Sequence, residues 1–193
     1  MTNEPKTETS KNTDPKTMTP DLRSPDVLLY SDLYKNAMMG ADACAKMVGR
    51  TNAAEDAASA QAGTFSAQAE TNAPQAVREC MELRQEITDM MTGYADRAKA
   101  AADALSDMGV PAEQLTMLEK LPAEIGITMK TMFDKSVSKC AELMVNGITL
   151  GIIDMKKAQR VCSEDGCSPA AYRMASDMIA FSERYVERMK EFL

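Results

Sequence analysis

Cys162 and Cys167 are the residues whose type and spacing come nearest to chemistry in this sequence. Two thiols with four residues between them can close a small disulfide or supply half of a tetrahedral zinc site. The spacing is wider than a C-x-x-C pair, no second pair occurs after it, and a structural zinc takes four ligands. The favoured reading is therefore a loop running from Cys162 to Cys167 that carries two inert thiols. Cys44, Cys80 and Cys140 are scattered, and an odd total of five does not make a secreted disulfide framework. Glu142 is the acid closest to the most apolar run of the chain, residues 141–154, and joins Cys162 and Cys167 as a candidate metal ligand. Its favoured reading is a surface acid, because a buried glutamate needs a partner. The Met38-Met39 and Met90-Met91 pairs hint at copper or an adaptable groove, but methionine at helical spacing is ordinarily core.

Absent residue types narrow the chemistry further. The chain has no histidine, which removes Ser-His and Cys-His nucleophile pairs, imidazole metal sites and the usual proton shuttle. A di-iron carboxylate bundle draws on Glu-x-x-His pairs that this chain cannot make. No P-loop, G-x-G-x-x-G or G-x-S-x-G occurs. A net charge of −7 without a basic stripe argues against nucleic acid and anionic lipid, whose binding needs clustered Lys and Arg. The run 141–154 is broken by Asn146 and Thr149 and falls short of the ~20 apolar residues of a membrane span. No catalytic residue, cofactor, nucleic-acid partner or membrane span is predicted. A homo-oligomer or a protein partner is left open. With no charged-then-apolar segment at Met1, a cytoplasmic protein is expected.

The elements that must position these residues are helical. Seventeen methionines, abundant alanine, 5% aromatics and no Trp suit helix-helix contacts better than a β-sandwich. Residues 1–23, with Pro5, Pro15 and Pro20 and few apolar side chains, read as a disordered tail, and residues 24–193 as one domain. Ser24-Pro25-Asp26 starts a helix whose stripe is Leu29, Leu33, Ala37, Gly40, Cys44, Met47 and Val48, with Gly49 as its expected stop. The alanine-rich stretch 51–73 reads as a peripheral helix or linker, Asn52 and Glu55 resembling a capping pair. Pro74 opens a long helix with Val77, Cys80 or Met81, Ile87, Met90, Met91, Tyr94, Ala98, Ala101, Leu105 and Met108 inward, ended by Gly109-Val110-Pro111. Ile125, Met129, Met132 and Phe133 form the next stripe, and Ser136 or Ser138 is placed to cap the next helix.

The helix containing 141–154 reads as the penultimate one. Gly147 and Gly151, four apart on one face, each cost ~1 kcal/mol relative to alanine. Close approach of a neighbouring helix is the expected return, and a ligand against bare backbone the sharper alternative. Ser168-Pro169 repeats the helix-start pattern, and the last stripe is Tyr172, Ala175, Met178, Ile179, Ser182, Tyr185, Val186 and Met189, with Phe192 or Leu193.

Four stretches carry a likeness to known proteins: Leu33-Tyr34-Lys35-Asn36-Ala37-Met38-Met39-Gly40-Ala41-Asp42, Ile125-Gly126-Ile127-Thr128-Met129-Lys130-Thr131-Met132, the run from Ala141 to Ile152, and Glu187-Arg188-Met189-Lys190-Glu191-Phe192-Leu193. In them the chain resembles a group of uncharacterised small ferritin-like helical proteins of anaerobic Firmicutes. The resemblance implies a bacterial protein, an up-down bundle of four or five helices in a ferritin-like layout, and no known activity. The tail and the stretch 51–72 depart from that pattern. The function expected is that of a non-enzymatic bundle with a structural or protein-interaction role. The alternative is a ferritin-like metal or redox protein using carboxylates and thiols.

Overall fold

The computed structural model describes residues 21–62, 73–110 and 136–193, for 53–62 and 73–74 the backbone alone. The described residues form four α-helices and no strand: α1 (Pro25–Ala62), α2 (Ala73–Asp107), α3 (Val137–Glu164) and α4 (Pro169–Lys190). Residues 1–20, most of the expected tail, lie outside them, as does the stripe Ile125, Met129, Met132 and Phe133.

Local chemistry sets the helix ends. The Ser24 hydroxyl accepts from the Val27 N–H at 3.3 Å, Ser136 from Lys139 at 3.3 Å and Ser168 from Ala171 at 3.2 Å, each satisfying an amide that the first turn leaves free. Ser136 is thus the cap of α3, while the Ser138 hydroxyl donates to the Leu193 carbonyl. At the other ends, α2 and α3 close in the same way. Gly109 (φ 78°) and Gly166 (φ 85°) turn left-handed, and the next residue's N–H bonds back five positions, Val110 to the Leu105 carbonyl and Cys167 to the Cys162 carbonyl.

Two boundaries differ from the sequence reading. α1 does not stop at Gly49 but runs on to Ala62, so Asn52 is an interior residue and not a cap. Thr51 is buried and its hydroxyl donates to the Val48 carbonyl, while Asn52 accepts from Arg84 of α2. Those contacts and the alanines beyond them carry the helix past its glycine. Cys162 belongs to the last turn of α3 and not to a loop, which shrinks to Asp165-Gly166-Cys167-Ser168.

Contacts fix the helix directions. Gly40 faces Tyr94 and Asn52 meets Arg84, so α1 and α2 are antiparallel. Asn36 meets Gly151 and Pro25 meets Cys162, so α1 and α3 are antiparallel as well. Gln159 reaches Ser176 and Lys156 reaches Glu183, making α3 and α4 an antiparallel hairpin. α2 and α3 therefore point the same way.

The core lies between the two hairpins. Leu29, Leu33, Met47, Leu83, Ile87, Met90, Leu105, Met144, Met155, Met178 and Met189 are buried in it, each such side chain contributing ~1.5–3 kcal/mol of transfer free energy. On α2 the inward residue is Cys80 and not Met81, and Leu83, which the stripe passes over, is fully buried. On α4 Tyr172 is exposed and Ala171 takes the inward place. Phe181, also absent from the stripe, is buried with its ring 5.1 Å from Tyr94 and 4.9 Å from Tyr185.

Candidate functional site

Two places in this frame hold the makings of a site. The first is a concavity of about 320 Å³ along the seam of α1 and α3. Asn36, Met39, Gly40 and Ala43 form one wall, and Leu143, Gly147, Leu150 and Gly151 the other. Glycines contribute to both walls, Gly40 on α1 and Gly147 and Gly151 on α3. At Gly40 an added Cβ would sit 2.8 Å from the Tyr94 ring, so Tyr94 fills that floor. At Gly151 it would sit 3.2 Å from Asn36, whose Nδ2 donates to the Gly151 carbonyl at 3.1 Å. That bond satisfies a buried amide and draws α1 close at this turn.

Gly147 behaves differently. It is exposed, and a Cβ there would meet nothing within 4 Å. The close helix approach expected at both glycines is found at Gly151 alone. Beside Gly147, Leu150 is 64% exposed, and one turn on Ile153 is 44% exposed. The acids bordering this seam are matched along their own helices: Asp32 with Lys35 (3.5 Å), Asp42 with Lys46, Glu142 with Lys139 (2.6 Å) and Asp154 with Lys157 (3.3 Å). A chain of charge −7 is locally neutral here.

The second place lies at the α3–α4 turn. The thiols of Cys162 and Cys167 and a carboxylate oxygen of Asp26 all lie within 4.8 Å of one another. Their proximity has a local cause and a tertiary one. In a helix end closed by a left-handed glycine, the residue three in from the cap and the residue two beyond it come together, ordinarily as an apolar contact. At the end of α2 that pair is Leu105 and Val110, both buried. At the end of α3 it is Cys162 and Cys167. Asp26 arrives from the first turn of α1, its Oδ1 accepting from the Ser168 N–H at 2.7 Å, while the Cys162 thiol donates to the Pro25 carbonyl at 3.4 Å. Burial pushes the Cys162 thiol well up from its ordinary value, and Cys167, Asp26 and Asp165 push it the same way. A second hollow of about 320 Å³, walled by Leu28, Asp32, Asp154 and Val161, opens onto Cys162.

The structure thus brings together two of the three candidate ligands read from the sequence. Glu142 stands apart, 49% exposed and paired with Lys139. Sequence reasoning does not single out Asp26 as a member of this cluster, its only signal being a place in a first helical turn, where acids are common. Among the described residues the buried polar side chains are Asn36, Thr51 and Ser182; the half-buried Glu86 has one buried oxygen, Oε2, which lies 3.0 Å from the Arg188 guanidinium. Comparison with known proteins finds no matching family model, no matching curated protein and no matching solved structure.

Proposed function

We propose that this chain is a non-enzymatic structural or interaction module that works by self-association, its α1–α3 groove receiving α3 of a second copy. One observation carries the reading: a knob and a hole stand side by side on the same helix. Leu150 projects into solvent, and the bare backbone of Gly147 forms a hollow next to it. A two-fold pairing needs one patch that is complementary to itself, so that each copy's leucine fills the other's hollow. The paired charges along the rim keep the contact patch itself close to neutral, so that it adds little to the repulsion between two chains of charge −7.

A ferritin-like metal centre draws on several inward carboxylates, and among the described residues the one buried carboxylate oxygen, Glu86 Oε2, is already matched by Arg188, which favours the interaction role over the ferritin-like one.

Light scattering over about two decades of concentration tests the proposal. The wild-type mass should rise toward twice the 21.0 kDa of one chain. Leu150→Glu, which places a charge in the contact, and Gly147→Leu, which fills the hollow, should each hold the mass at one chain with unchanged helicity. A single-chain mass at every concentration, or a dimer indifferent to both substitutions, refutes it.

A further inference from the structure

We propose that Cys162, Cys167 and Asp26 form a site for one thiophilic divalent cation of the zinc class, bound by two thiolates and a carboxylate with a fourth position open. The inference rests on the α3–α4 turn and is independent of the groove.

Three features argue for a built site and not a chance meeting. The donor set comes from two fixed elements. The Cys167 N–H to Cys162 carbonyl bond (2.9 Å) sets the spacing of the two cysteines, and the Ser168 N–H holds Asp26 by one oxygen and leaves the other free. Such an outer bond orients a ligating carboxylate. Zinc-to-sulfur bonds of about 2.3 Å put two ligating sulfurs ~3.8 Å apart, so atoms already within 4.8 Å close on a cation by side-chain rotation alone. Next, no lysine or arginine among the described residues pairs with Asp26, and Asp165 is also at hand. Lys157, which lines the adjoining hollow, is paired with Asp154, and Arg173 lies near Tyr30, so neither is bonded to the Asp26 carboxylate. Finally, the hollow beside Cys162 supplies a way in and room for a water or an outside ligand at the fourth position.

Two thiolates select a soft or borderline ion over magnesium or calcium, which take oxygen ligands. Binding releases the two thiol protons to solvent and changes no oxidation state. The bound ion would tie the first turn of α1 to the α3–α4 hairpin, joining segments far apart in the chain.

Full-length protein, kept reduced, is titrated with Zn²⁺ against a chromophoric chelator and, in parallel, with Co²⁺. Expected are one equivalent of Zn²⁺ per chain with a Kd of about 1 μM or tighter, and a thiolate-to-cobalt charge-transfer band in the near ultraviolet. Cys162→Ser and Cys167→Ser should each weaken binding ~100-fold or more and abolish the band, and Asp26→Asn should weaken binding ~10-fold. Glu142→Gln should change nothing. Cys167 is only half-buried, so its variant keeps the test open should Cys162→Ser fail to fold. Absence of a stoichiometric site in the wild type, or binding that persists in Cys167→Ser, overturns the proposal.

Discussion

Gly93 and Gly147 are both interior helix glycines, and their surroundings are opposite. A Cβ at Gly93 would lie 2.5 Å from the ring of Phe181. That ring cannot swing aside, because Tyr94 meets it edge-on, Tyr185 tilts against it, and the Arg97 guanidinium lies 3.7 Å above its centre while donating to the Gly93 carbonyl. Gly93→Ala should therefore cost ~1–3 kcal/mol by overpacking, more than the helix propensity it gains. At Gly147 a methyl group meets open space, so Gly147→Ala should gain up to ~1 kcal/mol. Melting temperatures measured at low concentration, where pairing through the groove is absent, should move in opposite directions by a few degrees, about 2–4 °C per kcal/mol for a chain of this size. Equal shifts would mean that Phe181 does not pin the α2–α4 seam. The glycines' places in the sequence announce neither outcome, since the difference between them is an aromatic ring on another helix.

At the scale of the helices, the ends carry the design. Gly166 holds φ 85° so that the Cys167 N–H can reach back to the Cys162 carbonyl, and an alanine there takes a backbone conformation that costs ~1–2 kcal/mol. Gly166→Ala should lower the unfolding free energy by that amount, and Gly166→Asn by less, since asparagine tolerates the left-handed region better. Thermal or urea unfolding of the two variants side by side checks the order, and an alanine variant as stable as wild type would mean that α3 ends otherwise. Such signals are readable in the sequence where the physics is local. Ser24, Ser168 and Gly109 act through bonds within a few residues, and the patterns around them mark the right ends. Gly49 misleads because its helix is continued by a tertiary bond, Arg84 to Asn52, that no local pattern announces. The same limit governs the thiol cluster: two cysteines with four residues between them are visible as a pair, whereas Asp26 joins them only once α1 and α3 run antiparallel.

At the scale of the whole molecule, two deeply buried titratable groups, Tyr94 and Cys44, pack where α1, α2 and α4 meet. Tyr94 lies against Gly40 and shares a 3.4 Å hydrogen bond with Ser182. Burial pushes its hydroxyl up to about 12, the Ser182 bond opposing and the nearby Cys44 reinforcing the rise. Burial likewise pushes the Cys44 thiol up to about 12. Both groups are neutral when protonated, so the folded chain keeps protons that the unfolded chain gives up from its ordinary values of 9.0 and 10.0 upward. Between those values and about 12 the unfolded state binds fewer protons than the folded one, and stability must fall as pH rises. Below them these two groups contribute no slope. The bundle should therefore lose stability steeply on the alkaline side, first through the thiol and then through the phenol. Tyr94→Phe and Cys44→Ala should each flatten that descent even where they lower stability at neutral pH, because each removes a proton that the native state alone retains. Unfolding free energies from urea titrations at a series of alkaline pH values read the slopes directly. Variant and wild-type curves that stay parallel through this range would place the lability in other groups, Cys162, Tyr30, Tyr185 or the lysines, instead of in this pair. A flattened curve would tie the fold's alkaline limit to the packing of Tyr94 into the space left open by Gly40.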